Sequence, residues 1–163
     1  IPLIFISYTG GVANVGSMSG FEQLEPAGNW MDQNLPENAN IVASSPSQTR
    51  YYAYPRMSYR APDNETAFKQ FVKEKNITYL SVDIYERTQP RWLQTKAAPY
   101  RLPNKISNQV RSGRISPQQA ANVFESTPSY LKSIKTFGKT RLPLTKRTQP
   151  AVIVYKINRT ALQ

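Results

Sequence analysis

The 163-residue sequence contains no cysteine and no histidine. These absences exclude disulfides, thiol nucleophiles, zinc sites of the Cys/His type and histidine-based acid–base catalysis. They leave the redox compartment open, because a chain without cysteine suits oxidising and reducing surroundings alike. The sequence also lacks the glycine-rich fingerprints that hold nucleotide phosphates. We therefore expect a chain with no catalytic residue, no metal site and no cofactor.

Long hydrophobic runs are missing too, since no stretch approaches the roughly 20 apolar residues that span a bilayer. The first six residues, Ile1 to Ile6, are nevertheless all apolar, and a run of small residues follows them as far as Gly20. We interpret residues 1–20 as a linker or as the end of a transmembrane helix, with a buried first strand as the alternative. Residues 21–163 are then expected to form a single domain.

Acidic residues are scarce: 10 Asp and Glu face 21 Lys and Arg, which gives a net charge of +11. Such an excess predicts attraction to a polyanion, and nucleic acid, an anionic lipid surface and phosphorylated glycans all fit. The alternative is that these side chains only face water. No familiar nucleic-acid motif accompanies the charge, so we do not expect nucleic acid as the partner, and a freestanding basic nucleic-acid-binding domain remains the alternative function.

Helical and strand patterns alternate along the first half of the domain. Periodicity and end signals predict, in order, a helix over residues 21–35, a strand over 40–44, a short strand over 51–54, a helix starting near Asn64 and a buried strand over Ile77–Asp83. Such alternation is typical of βαβ units with parallel strands.

Prolines and basic residues interrupt the pattern over about residues 86–128, which we interpret as an irregular basic insertion with partial helix near Trp92 and a helix capped by Ser116. Beyond it, residues 130–137 and the β-branched segment 151–157 predict an antiparallel hairpin. The expected fold class is α/β, with a three-layer-like open mixed sheet, flanking helices and a C-terminal antiparallel hairpin.

Three segments occur in a recognisable order: "WMDQNLPENANIVASS", "YYAYPRMSYRAPDNETAFKQFVKEKNITYLSVD" and "PAVIVYKIN". This order resembles the C-terminal soluble extracytoplasmic domain of membrane glycosyltransferases in the dolichyl-phosphate-mannose-protein mannosyltransferase superfamily. The likeness covers most of residues 21–84 and 150–158, and it skips the insertion.

The resemblance implies an accessory soluble domain that follows the last transmembrane helix, on the extracytoplasmic side of the cell membrane. Its partner would be the membrane-embedded part of the same polypeptide, and further partners would be an anionic lipid or lipid-phosphate-linked sugar and an acceptor protein or glycan. In that family the catalytic acidic residue lies in an early loop between membrane helices. No catalytic residue can therefore be carried over to this sequence.

Asp83 is the most suggestive acid, because the carboxyl ends of parallel strands border the usual ligand crevice of open α/β sheets. The alternative is that Asp83 caps a loop or pairs with Arg87. Ser44 and Ser45 follow a strand, but there is no histidine to activate them as nucleophiles.

A basic, tyrosine-rich stretch supplies the other candidate ligand-binding residues, namely Arg50, Tyr52, Arg56 and Arg60. Cations mixed with aromatic faces suit sugars, phosphates and single-stranded nucleic acid. The alternative is that the tyrosines fill the core while the arginines line its rim. Together with Asp83 and Arg87 these four residues form the predicted ligand-binding set.

Overall fold

The computed structural model describes residues 21–145 and 147–162, so the predicted linker over residues 1–20 lies outside the described residues. The helices are α1 (Leu24–Asn34), α2 (Pro46–Tyr52), α3 (Glu65–Glu74), α4 (Arg91–Lys96), α5 (Asn104–Arg111) and α6 (Pro117–Ala121), with 3₁₀ turns at Phe21–Gln23 and Arg159–Ala161. The strands are β1 (Asn40–Ala43), β2 (Met57–Arg60), β3 (Ile77–Asp83), β4 (Leu131–Phe137), β5 (Thr140–Arg141), β6 (Thr148–Gln149) and β7 (Val152–Ile157).

Five strands form one mixed sheet in the order β2-β1-β3-β7-β4. Strand β1 runs parallel to both of its neighbours, while β7 pairs antiparallel with β3 and with β4. Strands β5 and β6 form a separate two-stranded hairpin. The predicted α/β fold with a mixed sheet and a C-terminal antiparallel pair is confirmed.

Helices cover the two faces of the sheet, as the predicted layering requires. On one face, Met31 of α1 packs with Ile41 and Val154, and Leu24 and Ala27 pack with Val152. On the other face, the core contains Phe68 and Val72 of α3 and Trp92 and Leu93 of α4, together with Val42, Leu80, Ile153 and Tyr155. Val152 and Val154 thus face one layer of helices while Ile153 and Tyr155 face the other, as the two-residue period of a strand dictates.

Local end signals explain where several helices begin and end. The Asn64 side chain accepts a hydrogen bond from the backbone N–H of Ala67 and caps α3, and Asn76 just beyond this helix has a φ of 50°. Ser116 and Gln119 form a capping box at the start of α6. These ends, and the helix that contains Trp92 and Leu93, agree with the sequence prediction.

The strand predicted over residues 51–54 is wrong. Tyr51 and Tyr52 end helix α2, which starts with Pro46 in its first turn, and the neighbouring strand is Met57–Arg60 instead. The parallel pairing of β1 with β2 needs a crossover between them, and α2 supplies it. Tyr51 and Tyr54 are 78% and 74% exposed, so these two tyrosines do not fill the core.

Candidate functional site

A cationic cavity of about 420 Å³, here called the arginine cavity, lies beside helix α5 and is lined by Arg87, Arg101 and Arg111. Asn104, Ser107 and Asn108 of α5 add neutral polar groups to its wall. The described residues that line it include no carboxylate. A cavity of this size is within the range of small-molecule sites, and its chemistry suits an anion.

Arg101 is the best-anchored of the three arginines. Its Nη1 donates to the backbone carbonyl of Ile84 at 2.6 Å and to that of Glu86 at 3.2 Å, just beyond the end of β3. Burial lowers the pKa of the Arg101 guanidinium, and the positive charge of Arg87 lowers this pKa further. The group stays protonated at neutral pH, since an arginine starts from so high a pKa.

Glu86, the acid next to Arg87 in the sequence, makes its side-chain hydrogen bonds to Thr88 and not to the cavity arginines. Glu86 Oε1 accepts hydrogen bonds from the Thr88 hydroxyl at 2.6 Å and from the Thr88 backbone N–H at 2.9 Å. These bonds lower the pKa of Glu86 and keep it a carboxylate. In the described part of the chain, no ion pair involves Arg87, Arg101 or Arg111.

Asp83 lies at the carboxyl end of β3, where the strand order of the sheet reverses, but its side chain binds the protein itself. Asp83 Oδ1 accepts hydrogen bonds from the backbone N–H groups of Tyr85 at 2.8 Å and Glu86 at 3.1 Å. Burial raises the pKa of Asp83, although these donors and Ser45 partly oppose the rise. Asp83 therefore caps the loop after β3, which was one of the two structural alternatives, and it does not form an ion pair with Arg87.

The crevice at this strand end is almost filled. Gln89 Nε2 donates to the Asp83 carbonyl at 2.6 Å, and the remaining space, bordered by Ser44, Arg60 and Glu86, amounts to about 10 Å³. That volume is about the room of one water molecule. The place where a sheet of this order usually receives a ligand has no room for one here.

Arg56 is buried and satisfied within the protein. Its guanidinium donates to the Leu35 carbonyl from Nε at 3.2 Å, and its Nη1 lies 2.8 Å from Asp32 Oδ1. Only 3% of the Arg56 side chain is exposed, whereas 48% of Asp32 is exposed. Arg56 thus fastens the end of α1 to the segment between α2 and β2.

The structure divides the predicted ligand-binding residues among separate places. Arg50 is exposed on α2, and Tyr52 lines a different cavity of about 260 Å³ with Phe21, Leu24 and Gln48. Arg60 borders the filled strand-end crevice next to Asp83. Arg87 alone of the set lines the arginine cavity.

Sequence reasoning did not select Arg101 and Arg111. The signal that was available is the composition of the insertion, in which seven basic residues accompany only two acidic ones, Glu86 and Glu125. That excess indicates a cationic surface, but it does not indicate which side chains converge. Convergence depends on the loop after β3, which contributes Arg87, on the segment from Arg101 through α5, and on the distant Pro143.

A second charged cluster surrounds Lys96 at the end of α4, and its charges are paired with one another. Lys96 Nζ is 2.9 Å from Glu65 Oε2 and 3.4 Å from Glu125 Oε2, and the Tyr130 hydroxyl donates to Glu65 Oε1 at 3.0 Å. Burial tends to raise the pKa of Glu65, but the bonds from Lys96 and Tyr130 outweigh it and lower this pKa. Lys96 is thus shared by two carboxylates, and the cluster stabilises the fold at the edge of the core.

Neither metal ligands nor a membrane span were found in the part of the chain that the structure describes. Over residues 21–145 and 147–162, no group of three or more acidic, histidine or cysteine side chains is placed to hold a metal ion. No helix among these residues is both long and apolar enough to cross a bilayer.

Comparison with known proteins gives one structural neighbour of interest. No family model matches the sequence, and no curated protein matches it either. Among solved structures, the C-terminal globular domain of an oligosaccharyltransferase from Archaeoglobus fulgidus is similar, with a TM-score of 0.44 and 13% identity over 82% of this chain and 95% of that domain. A likeness at this level does not establish a family for the chain.

Proposed function

We propose that this chain is an accessory, non-catalytic domain of an integral-membrane glycosyltransferase that uses lipid-phosphate-linked sugar donors. The observation that supports the proposal is the position of the segments that resemble such domains. They contribute β1, β2 and β3 from residues 21–84 and β7 from residues 150–158, which are four neighbouring strands of one sheet. Segments separated by the whole insertion thus form a single structural unit.

The proposed absence of catalysis rests on residue chemistry. The chain has no histidine or cysteine to act as base or nucleophile. The Asp83 carboxylate accepts two backbone hydrogen bonds, and the space beside Ser44 is too small for a sugar. We propose that the chemistry is performed by the membrane-embedded part of the same polypeptide, with this domain on the extracytoplasmic side, where it assists recognition of the acceptor or the donor.

Sugar transfer by the isolated chain is the direct test. The 163-residue chain would be incubated with polyprenyl-phosphate-linked sugars and acceptor peptides, and the same assay would be run on the complete polypeptide in membranes. We expect transfer only with the membrane-embedded part present. Transfer by the isolated chain would show that the domain is an enzyme and would overturn the proposal.

A nucleic-acid-binding domain is the second candidate, because the net charge of +11 favours any polyanion. Filter binding of single-stranded and duplex oligonucleotides over a range of salt concentrations distinguishes the two functions. A nucleic-acid-binding domain gives tight binding whose logarithm falls linearly with the logarithm of salt, with a slope that counts the phosphates contacted. For an accessory domain of a glycosyltransferase we expect only weak binding that disappears at physiological salt.

A further inference from the structure

We infer that the arginine cavity is a binding site for a phosphate or diphosphate group, and that Arg87, Arg101 and Arg111 hold the phosphate oxygens. The source of the phosphate, a lipid-linked sugar donor, rests on the proposed function. The site itself rests on the geometry and charge of the cavity. These two parts of the inference can fail separately.

The first argument is that one guanidinium is fixed before any ligand arrives. The contacts of Arg101 Nη1 with the carbonyls of Ile84 and Glu86 hold the planar group at the end of β3. Both contacts use the same nitrogen, so Nε and Nη2 are not needed for them. A guanidinium anchored on one side offers its remaining N–H groups in a fixed fork, which matches two oxygens of a phosphate.

The second argument is that the positive charge is only partly compensated, since no acid in the described part of the chain forms an ion pair with Arg87, Arg101 or Arg111. The charges of Arg87 and Arg101 oppose each other. The carboxylates of Asp83 and Glu86 partly offset this repulsion at Arg101, but their hydrogen bonds are made to backbone groups and to Thr88. The ion pairs of the described residues are elsewhere, at Arg56 and Lys96. An anion in the cavity would remove the repulsion between these guanidinium groups.

The third argument concerns size and the neutral groups of the wall. The cavity volume of about 420 Å³ exceeds what one inorganic phosphate fills, so there is room for a diphosphate or for a sugar attached to a phosphate. Ser107, Asn104 and Asn108 supply hydrogen-bonding groups of the kind that bind sugar hydroxyls. Three cations suit the two or three negative charges of such a group better than the single charge of a carboxylate.

Calorimetric titration with inorganic pyrophosphate tests the site on the 163-residue chain. Removing a charge-assisted contact should weaken binding roughly tenfold or more, so we expect that loss in Arg101→Gln and in the double variant Arg87→Gln/Arg111→Gln. The double variant is needed because Arg101 also supports the loop after β3, whereas Arg87 and Arg111 are exposed.

The matched control is Lys73→Gln/Lys75→Gln, which removes two positive charges from the exposed side of α3 and its end without touching the cavity. Its pyrophosphate affinity should stay within about twofold of the wild-type value, because exposed charges beyond a Debye length are largely screened. Absence of pyrophosphate binding by the wild type, or an equal loss in the control and the cavity variants, would overturn the inferred site.

Vesicles distinguish the two sources of phosphate. Phosphatidylcholine vesicles with and without a polyprenyl phosphate would be sedimented with wild type and with Arg87→Gln/Arg111→Gln. Binding that requires the lipid phosphate and the cavity arginines supports a lipid-linked ligand. Cavity-dependent binding of pyrophosphate without vesicle binding keeps the site, assigns it to a soluble phosphate ester, and contradicts the lipid source that the proposed function supplies.

Discussion

Arginine has opposite roles in two regions of the molecule. The first region is the layer of helices α1 and α2 together with the loop that follows α2, and the second is the segment between β3 and β4. In the first region Arg56 is buried, and both backbone carbonyls and Asp32 satisfy it. In the second region Arg87, Arg101 and Arg111 converge on an open cavity without an ion pair among the described residues. The arginine of the first region thus contributes to the folded structure, whereas the arginines of the second region are the ones for which we propose a ligand.

A close approach of the two helices makes the first region the more sensitive to substitution. A Cβ atom at Gly28 of α1 would lie 2.2 Å from the Cβ of Tyr52 in α2. Gly28→Ala should therefore lower the free energy of unfolding by about 3 kcal/mol, because the helices must move apart. Urea denaturation measures this change. Gly113→Ala makes a useful comparison, since its added Cβ would meet no atom within 4 Å and its cost comes from the positive φ alone.

Removing the Arg56 guanidinium should have the next largest effect. Arg56→Met keeps the apolar stem but leaves the carbonyls of Asp32 and Leu35 without their donors, so we expect a loss of roughly 2–3 kcal/mol in the free energy of unfolding. Asp32→Asn, which disturbs only the half-exposed partner, should cost less than about 1 kcal/mol. Equal losses in the two variants would show that the ion pair, and not the carbonyl contacts, stabilises this region.

Asp83 connects the two regions and makes stability depend on pH. Its pKa in the folded protein is raised above the usual 3.8, mainly by burial. The folded state therefore holds the proton more tightly than the unfolded state, and the contribution of Asp83 to stability falls as the pH rises from about 3.8 through the folded pKa. Asp83→Asn keeps the acceptor oxygen and removes the ionisation.

Denaturation of wild type and Asp83→Asn between pH 3 and pH 7 measures that contribution. The stability of the variant relative to wild type should increase as the pH rises. Glu65 provides the internal comparison, because its lowered pKa gives the opposite sign: its contribution is present above the usual 4.5 and is lost as the pH falls. A difference between wild type and Asp83→Asn that does not change with pH would contradict the raised pKa of Asp83.

The cavity arginines should matter least for folding. Arg87→Gln removes an exposed charge that repels Arg101, so the free energy of unfolding should change by less than about 0.5 kcal/mol, with a small increase expected at low salt. Thermal denaturation at low and high salt measures the change. A loss as large as that of Arg56→Met would erase the contrast between the two regions.

The sheet and its helices were largely predictable because their signals are local. Asn64 caps α3, and the buried strand Ile77–Asp83 and the final β-branched strand are both members of the sheet. The tyrosine-rich stretch misled the prediction, since aromatic residues favour strands while Ser45 and Pro46 mark the start of a helix. Residues 46–52 form a helix because the parallel strands β1 and β2 need a crossover connection between them. That need becomes visible only once β1 and β2 are known to pair.

The arginine cavity was not predictable for a different reason. Its arginines come from the loop after β3, from the segment between α4 and α5, and from α5 itself. Their spacing in the sequence does not indicate that they lie close together. The burial of Arg56 was not predictable either, because its neighbours in the sequence resemble those of a surface arginine. Burial by α1, which lies 24 residues earlier at Asp32, determines its role.

The position of the last strand has a consequence for how the chain completes its fold during synthesis. Strand β7 lies between β3 and β4, and among the described strands β4 hydrogen-bonds to β7 alone. Residues 131–137 must therefore wait for residues 152–157 to leave the ribosome before they can join the sheet. A premature stop just before residue 152 would cost the sheet two strands, although only one of them would be missing from the translated chain.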